Sequence, residues 1–134
     1  MTAFYTVLVE DEETNDPIAE EVRSLLDGHI VLTRKLAQEN HYPAIDILNS
    51  TSRLINHITE PDHRASISKL RTLISKYNEI EFLVQVGEYE KGSDQIADES
   101  ISKIEDIKNF LKQDIGDYYP IDDVINQLKR ITDE

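Results

Sequence analysis

The chain has 134 residues, a formal net charge of −13 at pH 7, 39% hydrophobic and 31% charged residues, and no cysteine. This length suits about one domain, and the apolar fraction can support a hydrophobic core of modest size. The lack of cysteine excludes a disulfide framework and a thiolate zinc site, while the negative charge disfavours nucleic acid and anionic lipid as partners.

The first sixty residues alternate between strand-like and helix-like patterns. The β-branched and aromatic run from Phe4 to Val9 predicts a strand, and the acidic stretch from Glu10 to Asp16 predicts a loop. Asp16 before Pro17 is typical of a helix start, and Asp27-Gly28 predicts where that helix ends.

A second strand and a second helix follow. The apolar run from His29 to Leu32 predicts the strand, and Thr33 to Asn40 predicts a helix with Leu36 facing inward. In a complete molecule this order would add to a mostly parallel sheet covered by helices. In this chain we expect at least one strand to expose an unpaired edge.

From Pro61 onward the sequence becomes helical throughout. Apolar residues recur near the 3.6-residue period in three segments, which begin at Pro61, Asp94 and Pro120. Three apolar stripes predict one small helical core. The stripes comprise Ile67, Leu70, Ile74, Tyr77 and Leu83 or Val84; Ala97, Ile101, Ile104, Ile107 or Lys108, and Leu111; and Ile121, Val124, Ile125, Leu128 and Ile131.

The tract from His41 to Arg53, HYPAIDILNSTSR, joins an aromatic-proline corner to an arginine that follows three small hydroxylated residues. It resembles the YPA(I/V)D…S-x-SR segment of RecA-like ATPases related to the rotary ATP synthase, and most closely the ATPases of type III secretion and flagellar export. The segments AFYTVLVE, DPIA and LDGHIVL before it, and GEYEKG and NFLKQ after it, resemble the same family in the same order. The resemblance covers nearly the whole chain.

The sequence contains no G-x-x-x-x-G-K-[ST] motif, so it has no loop to cradle phosphates. It also has no aspartate at the place in the family order where one helps to hold magnesium. We therefore expect a carboxy-terminal piece of such an ATPase. Residues 1–60 would be the α/β remnant of the RecA-like domain and residues 61–134 an all-α subdomain, mostly helical overall and joined by a short linker.

Arg53 is the residue to which the resemblance assigns catalysis, as an arginine finger acting on nucleotide held by the neighbouring subunit of a homohexamer. A guanidinium is permanently charged and can stabilise the charge that spreads over phosphate oxygens during phosphoryl transfer. Taken alone, an arginine is more often a surface or salt-bridged residue.

The resemblance assigns adenine contacts to Tyr42, Phe110 and Gln113. The ring of Tyr42 would stack on the base, although a tyrosine beside a proline is also suited to packing in a corner. Phe110 lies on an apolar helix face, where core packing is the usual role of an aromatic side chain. Asp114-Ile115 stands where rotary relatives have proline and phenylalanine.

No metal site is predicted in this chain. His29, His41, His57 and His63 are dispersed without ligand spacing, and we expect them to be solvated. The run of carboxylates from residue 10 to residue 13 is of a kind that usually forms a solvated surface.

The function implied by the resemblance is that of the cytoplasmic ATPase that energises type III protein secretion at the inner membrane of bacteria. ATP and Mg²⁺ would serve the full-length hexamer, whereas this chain alone would require no cofactor and be inactive. Secretion chaperone–effector complexes would dock on the helical part, and stalk and stator proteins would be further partners. No nucleic acid is expected, and contact with the membrane would occur only through the apparatus.

Two alternatives remain at this point: a flagellar export ATPase region, and a non-catalytic helical module that binds partner proteins. The segments GEYEKG and DPIAEEVRSLLDGH favour the secretion injectisome over the flagellar exporter.

Overall fold

The structure, a computed structural model, describes residues 3–9 and 16–133. The described elements are six helices and two strands, and they begin with an α/β part and end with three long helices. In chain order they are α1 (Pro17–Leu25), β1 (Gly28–Leu32), α2 (Arg34–Gln38), β2 (Ile45–Ser52), α3 (Ile55–Ile58), α4 (Pro61–Gln85), α5 (Gln95–Leu111) and α6 (Ile121–Asp133). This order confirms an α/β remnant followed by an all-α part.

Helix α1 begins where the sequence predicts. The Asp16 side chain accepts hydrogen bonds from the amides of Ile18 (2.8 Å) and Ala19 (3.4 Å), which would otherwise lack partners in the first turn. The helix ends just before the Asp27-Gly28 pair. A Cβ at Gly28 would lie 2.8 Å from the Thr51 carbonyl oxygen, so glycine permits the close approach of β1 to β2.

The predicted strand from Phe4 to Val9 is wrong for this structure, in which residues 3–9 have no regular secondary structure. Phe4 and Leu8 are 91% and 90% exposed. A strand requires a hydrogen-bonded neighbour, and no strand among the described residues pairs with this segment. Residues 10–15 of the predicted acidic loop lie outside the described residues.

The sheet consists, within the described residues, of β1 and β2, which pair antiparallel. The mostly parallel sheet was expected of a complete molecule, and it stays a prediction. The register pairs His29 with Thr51 and then Val31 with Asp46. Four residues of β2, residues 47–50, therefore stand opposite the single residue Ile30. We call residues 47–50 the β2 bulge.

The core of the helical part confirms that three apolar stripes meet. Leu70 and Leu73 of α4, Ile107 of α5 and Leu128 of α6 form one buried cluster. Leu73, which was absent from the predicted stripe, is 1% exposed because α4 packs against both α5 and α6 and buries more than one stripe. Partly buried residues around this cluster are Ile67, Ile74, Phe110, Leu111 and Ile131.

The turn between α4 and α5 is held by polar contacts from the segment GEYEKG. The Tyr89 hydroxyl donates to Asp98 Oδ1 (2.9 Å), and the Gly92 amide donates to Asp98 Oδ2 (2.9 Å). Gly92 has φ +92°, a conformation that L-residues with side chains rarely adopt. Asp94 then caps α5, accepting from the amides of Ile96 and Ala97.

Candidate functional site

Tyr42 lies in the corner that leads into β2, and it is 52% exposed. A cis peptide bond joins it to Pro43. Its carbonyl oxygen accepts a hydrogen bond from the amide of Gln113 (2.9 Å), just beyond the end of α5. The Gln113 side chain in turn donates to the Asp117 carbonyl (2.7 Å). The structure therefore brings Tyr42 and Gln113 together, and we call residues 41–43 with Gln113 the aromatic corner.

His41 forms the buried side of the aromatic corner, being 7% exposed. The prediction of a solvated histidine is therefore wrong at this position. Burial lowers the pKa of the His41 imidazole below its usual range, and the positive charges of Lys112 and Lys108 lower this pKa further, against an opposing effect of Glu39. The His41 amide donates to the Leu36 carbonyl (2.9 Å), which ties the corner to α2.

Phe110 packs against the core cluster of the helical part and is half-buried. The sequence analysis gave Phe110 two possible roles, core packing and an adenine contact, and the structure shows the packing. Both roles are compatible with a ring that keeps part of its surface exposed.

Arg53 lies in an exposed turn directly after β2. Its amide donates to the Asp27 carbonyl (2.7 Å), and its guanidinium donates to the carbonyls of Ser24 (3.0 Å) and Arg23 (3.4 Å) in the last turn of α1. The carbonyls at a helix carboxy terminus carry partial negative charge, which suits a cation. We call residues 53 and 54 the arginine turn.

No carboxylate among residues 3–9 and 16–133 lies within ion-pair distance of Arg53. The guanidinium has five N–H donors, and two carbonyls do not exhaust them. Arg53 is thus an exposed cation without a countercharge in the described part of the chain.

The aromatic corner and the arginine turn lie at opposite ends of β2, since Tyr42 precedes Ile45 and Arg53 follows Ser52. The predicted site residues therefore lie in two separate regions, the aromatic corner and the arginine turn. Two surface depressions of about 350 and 440 Å³ lie on the helical part, and neither is lined by any of the predicted site residues.

Two further findings concern the described residues. In residues 3–9 and 16–133, no group of three or more histidine, aspartate or glutamate side chains is placed to hold a metal ion. Over the same ranges, no helix is both long and apolar enough to cross a membrane.

Sequence reasoning missed two arginines of α4, Arg64 and Arg71, which donate to backbone carbonyls on either side of Arg53. An isolated arginine on a helix carries no sequence signal of such a role. Only the β1–β2 register shows that the β2 bulge needs a donor from outside the sheet.

Two protein families match successive parts of this chain. Residues 59–130 match the family described as T3SS EscN ATPase C-terminal domain. Residues 1–52 match the ATP synthase alpha/beta family, nucleotide-binding domain.

Individual proteins match over nearly the whole chain. The type 3 secretion system ATPase of Xanthomonas euvesicatoria is 50% identical over 134 residues, which are 100% of this chain and 30% of that protein. The assembled ATPase EscN of the enteropathogenic E. coli type III secretion system is similar in structure, with a TM-score of 0.91, 44% identity and coverage of 96% of this chain and 31% of that chain.

A second solved structure contains EscN in complex with its central stalk EscO, and it matches with a TM-score of 0.83 and 42% identity. It covers 87% of this chain and 29% of that chain. The chain thus spans about 30% of the length of the curated relatives that it matches.

Proposed function

The chain belongs to the family of EscN-type carboxy-terminal domains of type III secretion ATPases, and we propose on this basis that it is the region of a secretion ATPase that completes the neighbouring subunit's nucleotide site. In this proposal Arg53 is an arginine finger that acts in trans. The reaction is ATP hydrolysis coupled to protein secretion, and ATP with Mg²⁺ is bound by the complete hexamer.

The observation that carries this proposal is the state of Arg53. The side chain is exposed, permanently charged and without a carboxylate partner in the described residues, and the carbonyls of Ser24 and Arg23 hold it at the end of α1. A cation prepared in this way can stabilise the charge that develops on a transferring phosphoryl group. A salt-bridged arginine would first have to give up its partner.

The separation of the two predicted places supports action between subunits. Tyr42 and Arg53 lie at opposite ends of β2, as expected if each subunit offers its aromatic corner to one nucleotide and its arginine turn to another. In this proposal Tyr42 stacks on adenine, and Phe110 and Gln113 complete the adenine contact from the helical side. The backbone hydrogen bond from Gln113 to Tyr42 supports that grouping.

Assembly is proposed by analogy with the solved relatives, since EscN is described as an assembled ATPase and in complex with the central stalk EscO. We accordingly place this chain in a homohexamer that contacts a stalk protein. Stator proteins and chaperone–effector complexes are proposed as further partners of the helical part, at the cytoplasmic face of the inner membrane. This chain alone is proposed to be inactive, because its sequence contains no phosphate loop.

Mixed hexamers test the proposal. One subunit type carries Arg53→Ala with an intact phosphate loop, and the other carries an intact Arg53 with its phosphate-loop lysine replaced by alanine. Each type alone is expected to be inactive, whereas mixing restores turnover at interfaces that combine an intact loop with an intact arginine. The absence of any recovery in mixed hexamers, verified by mass measurement, would refute action in trans.

A further inference from the structure

Two arginines on one face of α4 hold the two chain segments that flank Arg53. Arg64 and Arg71 are both half-buried and lie seven residues apart, which is about two helical turns. Side chains at this spacing project from the same side of a helix. The face of α4 that they share meets the chain before and after the arginine turn.

Arg71 contacts the segment before Arg53. Its Nη1 donates to the carbonyls of Ile47 and Ser50, and its Nη2 donates to the carbonyl of Leu48 (2.9 Å). Residues 47–50 have no partners in the β1–β2 register, so the ladder does not provide donors for these carbonyls. An unsatisfied backbone acceptor is costly when it is shielded from water, and Arg71 supplies donors to three of these four carbonyls. The fourth, that of Asn49, lies 3.1 Å from His29 Nε2.

Two amides of the β2 bulge are bound by a different side chain. Asp46 Oδ1 accepts from the amides of Leu48 and Asn49, at 3.0 Å each, and Asp46 Oδ2 accepts from the Asn49 side chain (2.7 Å). With Asp46 binding two of its amides and Arg71 binding three of its carbonyls, the bulge has a defined shape. A bulge redirects the strand that contains it, so this shape sets how β2 enters the arginine turn.

Arg64 contacts the segment after Arg53. Its Nη1 donates to the carbonyl of Asn56 (3.1 Å) and to the carbonyl of Thr59, which lie in the short helix α3 and at its end. The arginine turn is therefore bracketed by two contacts to one helix. That helix also contributes Leu70 and Leu73 to the core of the helical part.

We infer that Arg64 and Arg71 are positioning residues for Arg53, because they fix the segments on both sides of the arginine turn to the rigid helix α4. A displacement of α4 would then also move Arg53, because α4 is attached to the chain on both sides of the arginine turn. The inference rests on the proposed role of Arg53 as an arginine finger. It adds two residues that act through Arg53 and do not touch the nucleotide themselves.

Conservative variants in the assembled ATPase that carries this chain test the inference. Arg71→Lys and Arg64→Lys keep the positive charge, but an ammonium group cannot fork onto several carbonyls as a guanidinium does. Each is expected to lower kcat by roughly tenfold to a hundredfold with KM unchanged, as misplacement of a catalytic group does. Arg130→Lys, at an exposed position of α6, is the matched control and should leave kcat unchanged.

Repeating the lysine substitutions in an Arg53→Ala background separates positioning from general support of the fold. If Arg64 and Arg71 act through Arg53, neither substitution should lower kcat further once Arg53 is gone. The inference would be overturned if the lysine substitutions reduced kcat by the same factor in both backgrounds. It would also be overturned if kcat were unchanged in both variants with Arg53 present. The two arginines hold different segments. If Arg71→Lys does not fold, Arg64→Lys therefore still tests whether α4 positions Arg53.

Hydrogen exchange distinguishes failure of this inference from failure of the proposed function. An Arg53→Ala enzyme with normal turnover would refute the finger role. The attachment of the arginine turn to α4 would then be tested by amide exchange alone. Faster amide exchange in residues 46–60 of both lysine variants, with α5 and α6 unchanged and Arg130→Lys unaffected, would support the attachment. Unchanged exchange in residues 46–60 would overturn it.

Discussion

At the scale of single residues, the environments of Arg53 and Tyr42 differ in what holds them. Arg53 is held by its amide, which donates to the Asp27 carbonyl, and by its side chain, which donates to the end of α1, whereas Tyr42 is held by its backbone through the bond from Gln113. Tyr42 as a whole residue is 52% exposed. A substitution at Arg53 therefore removes a charge, while a substitution at Tyr42 removes an available ring.

We predict that Arg53→Ala in the assembled ATPase reduces kcat by roughly three orders of magnitude, as loss of an arginine finger does. Nucleotide affinity should be largely retained, because the charge acts mainly in the transition state. Steady-state turnover and nucleotide titration measure the two effects. Near-normal kcat would refute the assignment of Arg53.

We predict that Tyr42→Ala weakens nucleotide binding by roughly tenfold, the order of magnitude of one lost base–aromatic stacking contact. Tyr42→Phe should bind nucleotide normally, because the proposed contact uses the ring and not the hydroxyl. Equilibrium titration with a fluorescent nucleotide compares the two variants. Equal losses in both would indicate a role for the hydroxyl group instead.

At the scale of elements, α4 and α5 are joined by ion pairs in addition to their apolar contacts. Glu99 Oε1 of α5 lies 2.9 Å from Lys69 Nζ of α4 and 3.1 Å from Lys103 Nζ, while Lys76 Nζ of α4 lies 3.0 Å from Asp94 Oδ2. The ammonium groups of Lys69 and then Lys103 lower the pKa of the Glu99 carboxyl below its usual range. The Asp94 carboxyl has a lowered pKa chiefly because of Lys76.

We predict that Glu99→Gln reduces the acid sensitivity of the fold. Because the folded-state pKa of Glu99 is lowered from 4.5, its stabilising contribution is complete above that unfolded-state value and is lost as pH falls through the folded-state pKa. Urea unfolding midpoints should separate the variant from the parent at pH 7 and converge as the pH falls below the lowered folded-state pKa of Glu99.

Glu105→Gln on the same helix is the matched control, since the Glu105 side chain is 79% exposed and 4.0 Å from Lys108. Its unfolding midpoint should follow that of the parent chain at every pH. A Glu99→Gln chain that keeps the full pH dependence would contradict the role of this ion pair.

The apolar contact between α4 and its neighbours provides a second prediction at this scale. Leu73→Ala should lower the free energy of unfolding by about 2–5 kcal/mol, because Leu73 is 1% exposed at the centre of the three-helix core. Leu83→Ala on the same helix is the control, since Leu83 is 40% exposed. Denaturant titration of both variants tests the difference, and equal losses would contradict this account of the core.

At the scale of the whole molecule, the two parts of the chain differ in how much they bury. The core cluster belongs entirely to α4, α5 and α6, whereas the hydrophobic residue buried in the described α/β part is Ala19. Ile30 and Leu32 of β1 are each 66% exposed. Polar contacts that connect the two parts include Arg71 on the β2 bulge and Gln113 on the aromatic corner.

We predict that the amides of α4 and α5 exchange with solvent much more slowly than those of α1 and β1. Exchange protection follows local stability, which depends on buried apolar contacts. Native-state hydrogen exchange of this chain measures the difference directly. Uniform protection across the chain would show that the α/β part is stabilised to the same degree as the helical core.

Much of the fold follows from local sequence, because helix starts and apolar periods depend on residues close together in the chain. Asp16, Asp94 and Pro61 mark the beginnings of α1, α5 and α4 in both the sequence and the structure. The segments HYPAIDILNSTSR and GEYEKG also indicate the family without any structural information. The roles of Arg53, Tyr42, Phe110 and Gln113 remain predictions from that resemblance.

The tertiary structure alone decided the features that depend on distant partners. The strand predicted at Phe4 to Val9 lacks a neighbour, and β2 pairs antiparallel to β1 with a bulge that no local pattern announces. The burial of His41 and the contacts of Arg64 and Arg71 join residues from separate elements. Strand pairing and side chain to backbone contacts are long-range interactions, so residue type and spacing along the chain do not specify them.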